Sequence, residues 1–363
     1  MRILFSFIVL VSLGFAAPAE NLFIVPSDAR IQYFGRWDHS DSVFAQADWP
    51  GVYLRVVFQG TGCSMRMQGV NAFEVVVDGQ SSQTVFADDS LRTIPLVSGL
   101  AQERHVVALY KRSESQTSSA KFYGLELDQG GQLQAPPALP VRRIEFIGDS
   151  YTAGYGMESP VLEPGSFNED SLVLHTSNAM QAFGPLVARS LGADYQVNAV
   201  SGRGLVRNIN GLLPEKPFGY YYDYTLMSAR SLGKPSPPWN FASWHPQVIV
   251  IGLGINDFQG TSPPADSATF DQAYYALLDS LRARHPGVKF ILCATAVWPN
   301  DQLLVHVPSI VASEHARGHD DVTLFEYRAE KSGLWWHPSV RDHQNIAREL
   351  RPVVARVGGW MSR

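Results

Sequence analysis

From about Ile31 to Leu127, hydrophobic and polar positions alternate in short runs broken by turn signals, whereas beyond Pro140 unbroken apolar runs alternate with stretches of helical period. The first pattern, as in Val52–Phe58 and Phe73–Val77 before the Asp78-Gly79 turn, is that of antiparallel strands burying one face. With further runs at Arg104–Tyr110 and Lys121–Leu127, it predicts an all-β sandwich. The second pattern sets apolar runs at Arg143–Ile147, Tyr195–Val200, Val248–Leu253 and Lys289–Ala294 against helical patterns at Ala179–Leu191, Thr269–His285 and Gln344–Val357. Such alternation predicts βαβ units and a parallel sheet covered by helices, a three-layer α/β domain. Gln129 to Pro140, rich in Gly and Pro, suits neither a helix nor a central strand and reads as a linker. The predicted organisation is therefore a leader over 1–19, a sandwich over 20–127, a linker over 128–140 and an α/β domain over 141–363.

The leader rests on Met1-Arg2, an apolar stretch from Ile3 to Phe15, and the small-x-small pattern Ala17-Pro18-Ala19. An apolar run shorter than the ~20 residues of a spanning helix reads as a signal peptide, so the expected location is secreted or periplasmic with no membrane insertion. A formal charge of −5 without a dense Lys/Arg run leaves no electrostatic footprint for nucleic acid or an anionic membrane. A neutral or uncharged polymer suits this surface better. The two cysteines, Cys63 and Cys293, sit in strand-like contexts in different halves and are expected to be separate buried thiols.

Candidate chemistry gathers at the predicted carboxyl ends of the later strands, where open parallel sheets bind ligands. The first such strand ends in Gly148-Asp149-Ser150, presenting a serine to the cleft, and the Ser150 amide is a candidate oxyanion donor. The second ends in a small-residue tip, Ser201-Gly202-Arg203-Gly204, whose backbone N–H at Gly202 is a second candidate donor. The third runs into Gly254-Ile255-Asn256-Asp257, where the Asn256 amide can donate to developing charge without titrating and Asp257 fits a capping role. Near the C-terminus comes Trp335-Trp336-His337-Pro338, ahead of a helical pattern, and an imidazole there suits proton transfer near neutrality.

In this order and placement, the four motifs resemble the blocks of the SGNH or GDSL hydrolases. The sandwich fused to this hydrolase, with Trp49-Pro50-Gly51, Phe58–Thr61, Val77–Gly79 and Tyr110–Glu114 in the first domain and Ser201–Asn208 in the second, is similar to carbohydrate esterase family 2, the acetyl xylan esterase type. The resemblance covers nearly the whole chain after the leader. It implies a jelly-roll first domain, an SGNH hydrolase domain, and O-deacetylation of plant polysaccharide or its oligosaccharides, with 6-O-acetyl sugars a favoured class.

One departure concerns the acid that SGNH enzymes usually place three residues before the histidine, because that position is Leu334. Since the acid only orients the imidazole and stabilises its cation, a main-chain carbonyl can take over part of its work. The expectation is a Ser150–His337 dyad, with Glu330 and Asp342 as alternative orienting acids and His343 as the rival base. Ser150, Gly202 and Asn256 form the expected oxyanion hole, and neither a metal nor an organic cofactor is required. Trp298, after the fourth strand, and Tyr155 are candidates for stacking on a sugar ring. Trp37, Trp49 and Trp239 fit a binding surface or a core equally well. Rival readings are a lipid or aryl short-chain esterase on the same scaffold and a carbohydrate-binding protein with a vestigial site.

Overall fold

The computed structural model describes residues 21–299 and 301–361, so the leader predicted over 1–19 lies outside the described residues. Strands β1 (Leu22–Ile24), β2 (Gln32–Phe34), β3 (Ala45–Ala47), β4 (Tyr53–Gly60), β5 (Cys63–Gln68), β6 (Asn71–Val77), β7 (Gln80–Ala87), β8 (Arg92–Val97), β9 (Glu103–Lys111), β10 (Ala120–Leu127) and β11 (Gln132–Leu133) build two antiparallel sheets. One runs β1-β10-β5-β8 with β3 on β10, the other β11-β4-β9-β6-β7 with β2 on β4. Their inward faces carry Val56, Phe58, Met65, Phe73, Leu109, Phe122 and Leu125, all 2% exposed or less. Alternation does its work most visibly in β5, where every second residue is buried. Within the segment predicted as linker, Gln132–Leu133 adds an edge strand to β4, pairing with Gln59 and Phe58.

The second half is a five-stranded parallel sheet, β12 (Arg143–Gly148), β13 (Asp194–Ala199), β14 (Val248–Gly252), β15 (Lys289–Ala294) and β16 (Val322–Glu326), in the order β13-β12-β14-β15-β16. Helices α1 (Ser150–Ala153), α2 (Glu169–Thr176), α3 (Phe183–Ser190), α4 (Gly219–Tyr222), α5 (Met227–Ser231), α6 (Ile255–Phe258), α7 (Ser267–Arg284), α8 (Leu303–Ala316) and α9 (Val340–Val357) connect and cover it. The central strands are buried on both faces, which accounts for their unbroken apolar runs. Because β12 and β14 lie side by side, the chain leaves neighbouring strands at Gly148 and Gly252, and the motifs that follow both converge on one edge. Cys63 and Cys293 are buried free thiols.

The two halves share a polar interface. The Arg36 guanidinium, wholly buried, donates to the carbonyls of Tyr222 and Tyr224 and lies 3.9 Å from the buried Glu145 carboxylate. The rings of Trp49, Tyr222 and Trp239 stand 4.8–5.1 Å from it, a cation cradle with little water. Trp49 itself is fully buried and donates to the Thr225 carbonyl, and Trp37 is buried too, so both are core residues. Asp48 accepts from Met227 N, Ser228 N and Ser228 Oγ, tying the sandwich to the start of α5.

Candidate active site

Ser150 opens α1 immediately after β12. The reversal from strand to helix is tight: a Cβ on Gly148 would stand 2.0 Å from Thr152 Oγ1, so only glycine allows it. Asp149 caps the helix, its Oδ1 accepting from Tyr151 N at 3.0 Å. Burial pushes the Asp149 carboxyl up to about 8, with the nearby Asp257 and Glu114 carboxylates adding to the rise. At neutral pH it is therefore largely uncharged, and no fixed negative charge sits beside the serine from this residue.

The loop after β13 is shaped by α6. Asp257 accepts from three successive backbone donors, Leu205 N, Val206 N and Arg207 N, at 2.8–2.9 Å. Arg207 returns the contact by donating to Asn256 O at 2.6 Å. Asp257 thus has a capping task, applied to a loop of the second motif. Gly202 sits at φ +75°, the left-handed region, and its N–H meets no acceptor among the described residues. Asn256 Nδ2 donates to Arg203 O at 3.0 Å and reaches Asp149 Oδ2 at a long 3.3 Å.

His337 follows a short 3₁₀ turn, Leu334–Trp336, in which Trp335 and Trp336 both hold positive φ, +52° and +56°. Bulky residues rarely adopt this region, and the turn is held by Leu334 N to Gly156 O and Trp335 N to Leu162 O. The strained turn carries the imidazole back over α1. Its Nδ1 is 2.6 Å from the Leu334 carbonyl, and since a carbonyl only accepts, Nδ1 carries the proton and Nε2 keeps its lone pair. Tyr155 lies 4.7 Å from the ring and Tyr151 5.3 Å, so His337 rests against two residues that closely follow the serine. Burial draws the imidazole down to about 4, against the raising effect of the Leu334 hydrogen bond.

The other candidates have different surroundings. Asp342 forms a capping box with Ser339 at the start of α9 and also accepts from Glu330 N and Lys331 N. Glu330 is exposed. Neither carboxylate bonds the His337 ring, whose Nδ1 partner is the main chain of the very residue found in the acid's usual place. His343 is fully buried in α9, accepts from Phe183 N at 3.2 Å and stacks on the Phe183 ring, with burial holding it down to about 3. Asp342→Asn is accordingly expected to cost about 1 kcal/mol through the weakened cap while leaving kcat/KM within about threefold. Paired denaturation and turnover measurements check this, and a drop of a hundredfold or more would mark Asp342 as the orienting acid.

A cleft of about 820 Å³ opens between the loop after β9 and the α/β domain, lined by Glu114, Gln116, Tyr155, Glu169 and Ser201 among others. Its wall mixes hydroxyls and a carboxylate, from Ser115, Thr117, Ser118 and Asp170, with apolar groups of Val70, Ala153, Val173 and Leu174, and neither Ser150 nor His337 is among its lining residues. Tyr155 is part of it; Trp298, 63% exposed beyond the end of β15, is not. Sequence reasoning passed over Trp335 and Trp336 as ligand groups, although both are exposed next to His337 and Trp335 Nε1 donates to Glu169. Their adjacency to the histidine was the available signal.

Residues 33–137 match the family model described as carbohydrate esterase 2 N-terminal, and residues 146–314 match the GDSL-like lipase/acylhydrolase family. An acetylxylan esterase / glucomannan deacetylase of Cellvibrio japonicus is 35% identical over 314 residues, covering 83% of each chain. The chain belongs to carbohydrate esterase family 2. The esterase is also 32% identical to the cellulase/esterase CelE of Acetivibrio thermocellus over 91% of its own length, spanning 40% of that longer protein. Its fold superposes on a family two carbohydrate esterase from Clostridium thermocellum, solved in complex with cellohexaose, at a TM-score of 0.83 and 31% identity, covering 91% of this chain and all of that one. The two-sheet sandwich followed by a helix-covered parallel sheet is therefore the family's arrangement, and the esterase is a carboxylic-ester hydrolase of the SGNH type. No helix among its described residues is long and apolar enough to cross a membrane.

Proposed function

We propose that this esterase is an exported carbohydrate O-deacetylase that removes acetyl groups from xylan- or glucomannan-type polysaccharides or their oligosaccharides. Ser150 Oγ attacks the ester carbonyl as His337 Nε2 takes its proton, and the oxyanion is received by the amides of Ser150 and Gly202 and by Asn256 Nδ2, which keeps one hydrogen on Arg203 O and gives up its long contact with Asp149 Oδ2. Collapse breaks the bond to the sugar oxygen, which takes the proton from His337 and departs as the sugar hydroxyl, leaving acetyl on Ser150. Water activated by His337 then releases acetate and restores the serine. The largely neutral Asp149 suits this site, because a fixed carboxylate would oppose the oxyanion.

The observation that carries the reading is the His337 Nδ1 bond to the Leu334 carbonyl, which sets the tautomer of a general base without an acid. The names of the similar proteins point to acetylated xylan and glucomannan. Tyr155 and the exposed Trp298, Trp335 and Trp336 are the proposed stacking surfaces. Acetate release from acetylated glucomannan and xylan, set beside a p-nitrophenyl ester series from acetyl to octanoyl, tests the class. Acetyl-only turnover fits the reading, whereas faster hydrolysis of long acyl chains would move the protein to a lipid esterase.

The pH profile follows from His337. Its neutral form is the base, so kcat/KM should stay level through pH 6 and fall only as the ring gains a proton near pH 4. A pH–rate profile with its acid limb at the ordinary imidazole value of about 6.5 would contradict the burial argument.

A further inference from the structure

The proposed oxyanion donor Gly202 N–H belongs to the peptide unit whose other end is the Ser201 carbonyl. In a trans peptide these two groups are antiparallel, so fixing the carbonyl aims the N–H. The group that fixes it comes from the sandwich: Gln116 Nε2 donates to Ser201 O at 3.0 Å. The Gln116 amide is itself locked, since Nε2 also donates to Glu114 Oε1 at 2.6 Å while Oε1 accepts from Arg203 at 3.3 Å. Glu114 then takes the preceding N–H, Ser201 N, at 2.8 and 3.1 Å through its two oxygens.

The loop bearing these side chains is tied back into its own domain. Ser115 N donates to Asp48 O, Ser115 Oγ to Asn71 Oδ1 at 2.7 Å, and Lys111 Nζ to Ser115 Oγ at 2.9 Å. On the far side, the α/β domain holds the loop by Ile209 N to Gly202 O at 3.0 Å and by the three donors gathered on Asp257. The Ser201–Gly202 peptide is thus fixed by the sandwich, and the peptides that follow it by the α/β domain. Released from the sandwich, it is free to rotate, because a glycine tolerates either peptide orientation.

We propose that Gln116, supported by Glu114, is a positioning residue through which the sandwich domain aims the oxyanion donor of the hydrolase domain. The sandwich is then a working part of the catalytic centre and not an appended module. This rests on the deacetylase reading and on Gly202 serving as donor.

The test uses the full chain and compares wild type, Ser150→Ala, Gln116→Ala, Gln116→Met, Glu114→Ala and Glu114→Gln on p-nitrophenyl acetate and acetylated glucomannan. Both Gln116 variants are expected to lower kcat about 10- to 100-fold on both substrates, with KM within roughly threefold, because only transition-state stabilisation is lost. Glu114→Gln, which keeps an acceptor for Ser201 N, should retain more activity than Glu114→Ala. An alkyl boronic acid, which forms a tetrahedral adduct on an active serine, should lose affinity in step with kcat. Loss confined to KM, or to the polysaccharide, would overturn the proposal by showing that Gln116 holds sugar. Full kcat in both Gln116 variants, with Ser150→Ala inactive, would overturn it and leave the deacetylase reading standing. Wild type without Ser150-dependent turnover would overturn both.

Discussion

Replacing His337 by alanine is expected to lower kcat/KM for acetyl ester hydrolysis by about 10⁴-fold without unfolding the protein, since a nucleophilic serine without its base loses most of its reactivity. The ring is held at one edge by a single carbonyl and packs between Tyr151 and Tyr155, so its removal opens space at the cleft and not in the deep core. No neighbouring imidazole can take over. His343 spends Nδ1 on Phe183 N, and its Nε2 is enclosed in apolar packing with no hydrogen-bond partner among the described residues. Steady-state kinetics on p-nitrophenyl acetate, with circular dichroism as the folding control, reads the effect. Activity within tenfold of wild type would assign the base elsewhere.

The second large effect is on stability. Arg36→Ala leaves Glu145 buried between the two halves without its cation, and breaking a buried pair from one side costs about 3–5 kcal/mol. Tyr222 Oη and Asn198 Nδ2 would still donate to Glu145, at 2.7 and 2.6 Å, which limits the loss. Burial already raises the Glu145 carboxyl, so with Arg36 gone it takes up a proton more readily. The penalty should therefore shrink as pH falls and be largest above neutrality. Urea unfolding of Arg36→Ala at pH 5 and pH 8 measures this. A loss under 1 kcal/mol at both pH values, or a loss greater at pH 5, would contradict the account. The double change Arg36→Met with Glu145→Gln should recover much of the loss, because no lone charge remains.

Legibility in the sequence followed the range of the interactions. Strands β12 to β15 were readable to within two residues because both faces are buried and their apolar runs are local features. Helix α8 went unread because its apolar residues are spread round the helix and not gathered on one face, and β8 because it is half exposed and carries Pro95. The four site motifs were visible because each is a short run at the end of a predicted strand or before a predicted helix. The sequence also showed that an acid is absent three residues before His337, and the structure puts that residue's carbonyl on Nδ1. Glu114 and Gln116 were beyond reach as site residues, since they meet Ser201 across 87 and 85 residues and a domain boundary. Tyr110–Glu114 stood out only as a family likeness. Trp49 and Trp239 could not be sorted by sequence because a buried cation cradle and a sugar platform both call for indoles.

The most direct measurement is acetate released from acetylated glucomannan by the folded wild-type chain and by Ser150→Ala, without added metal or cofactor. Wild type should release acetate steadily and the variant only at background, with polysaccharide binding retained by both. Equal release by the two proteins, or none by folded wild type, would contradict the deacetylase reading.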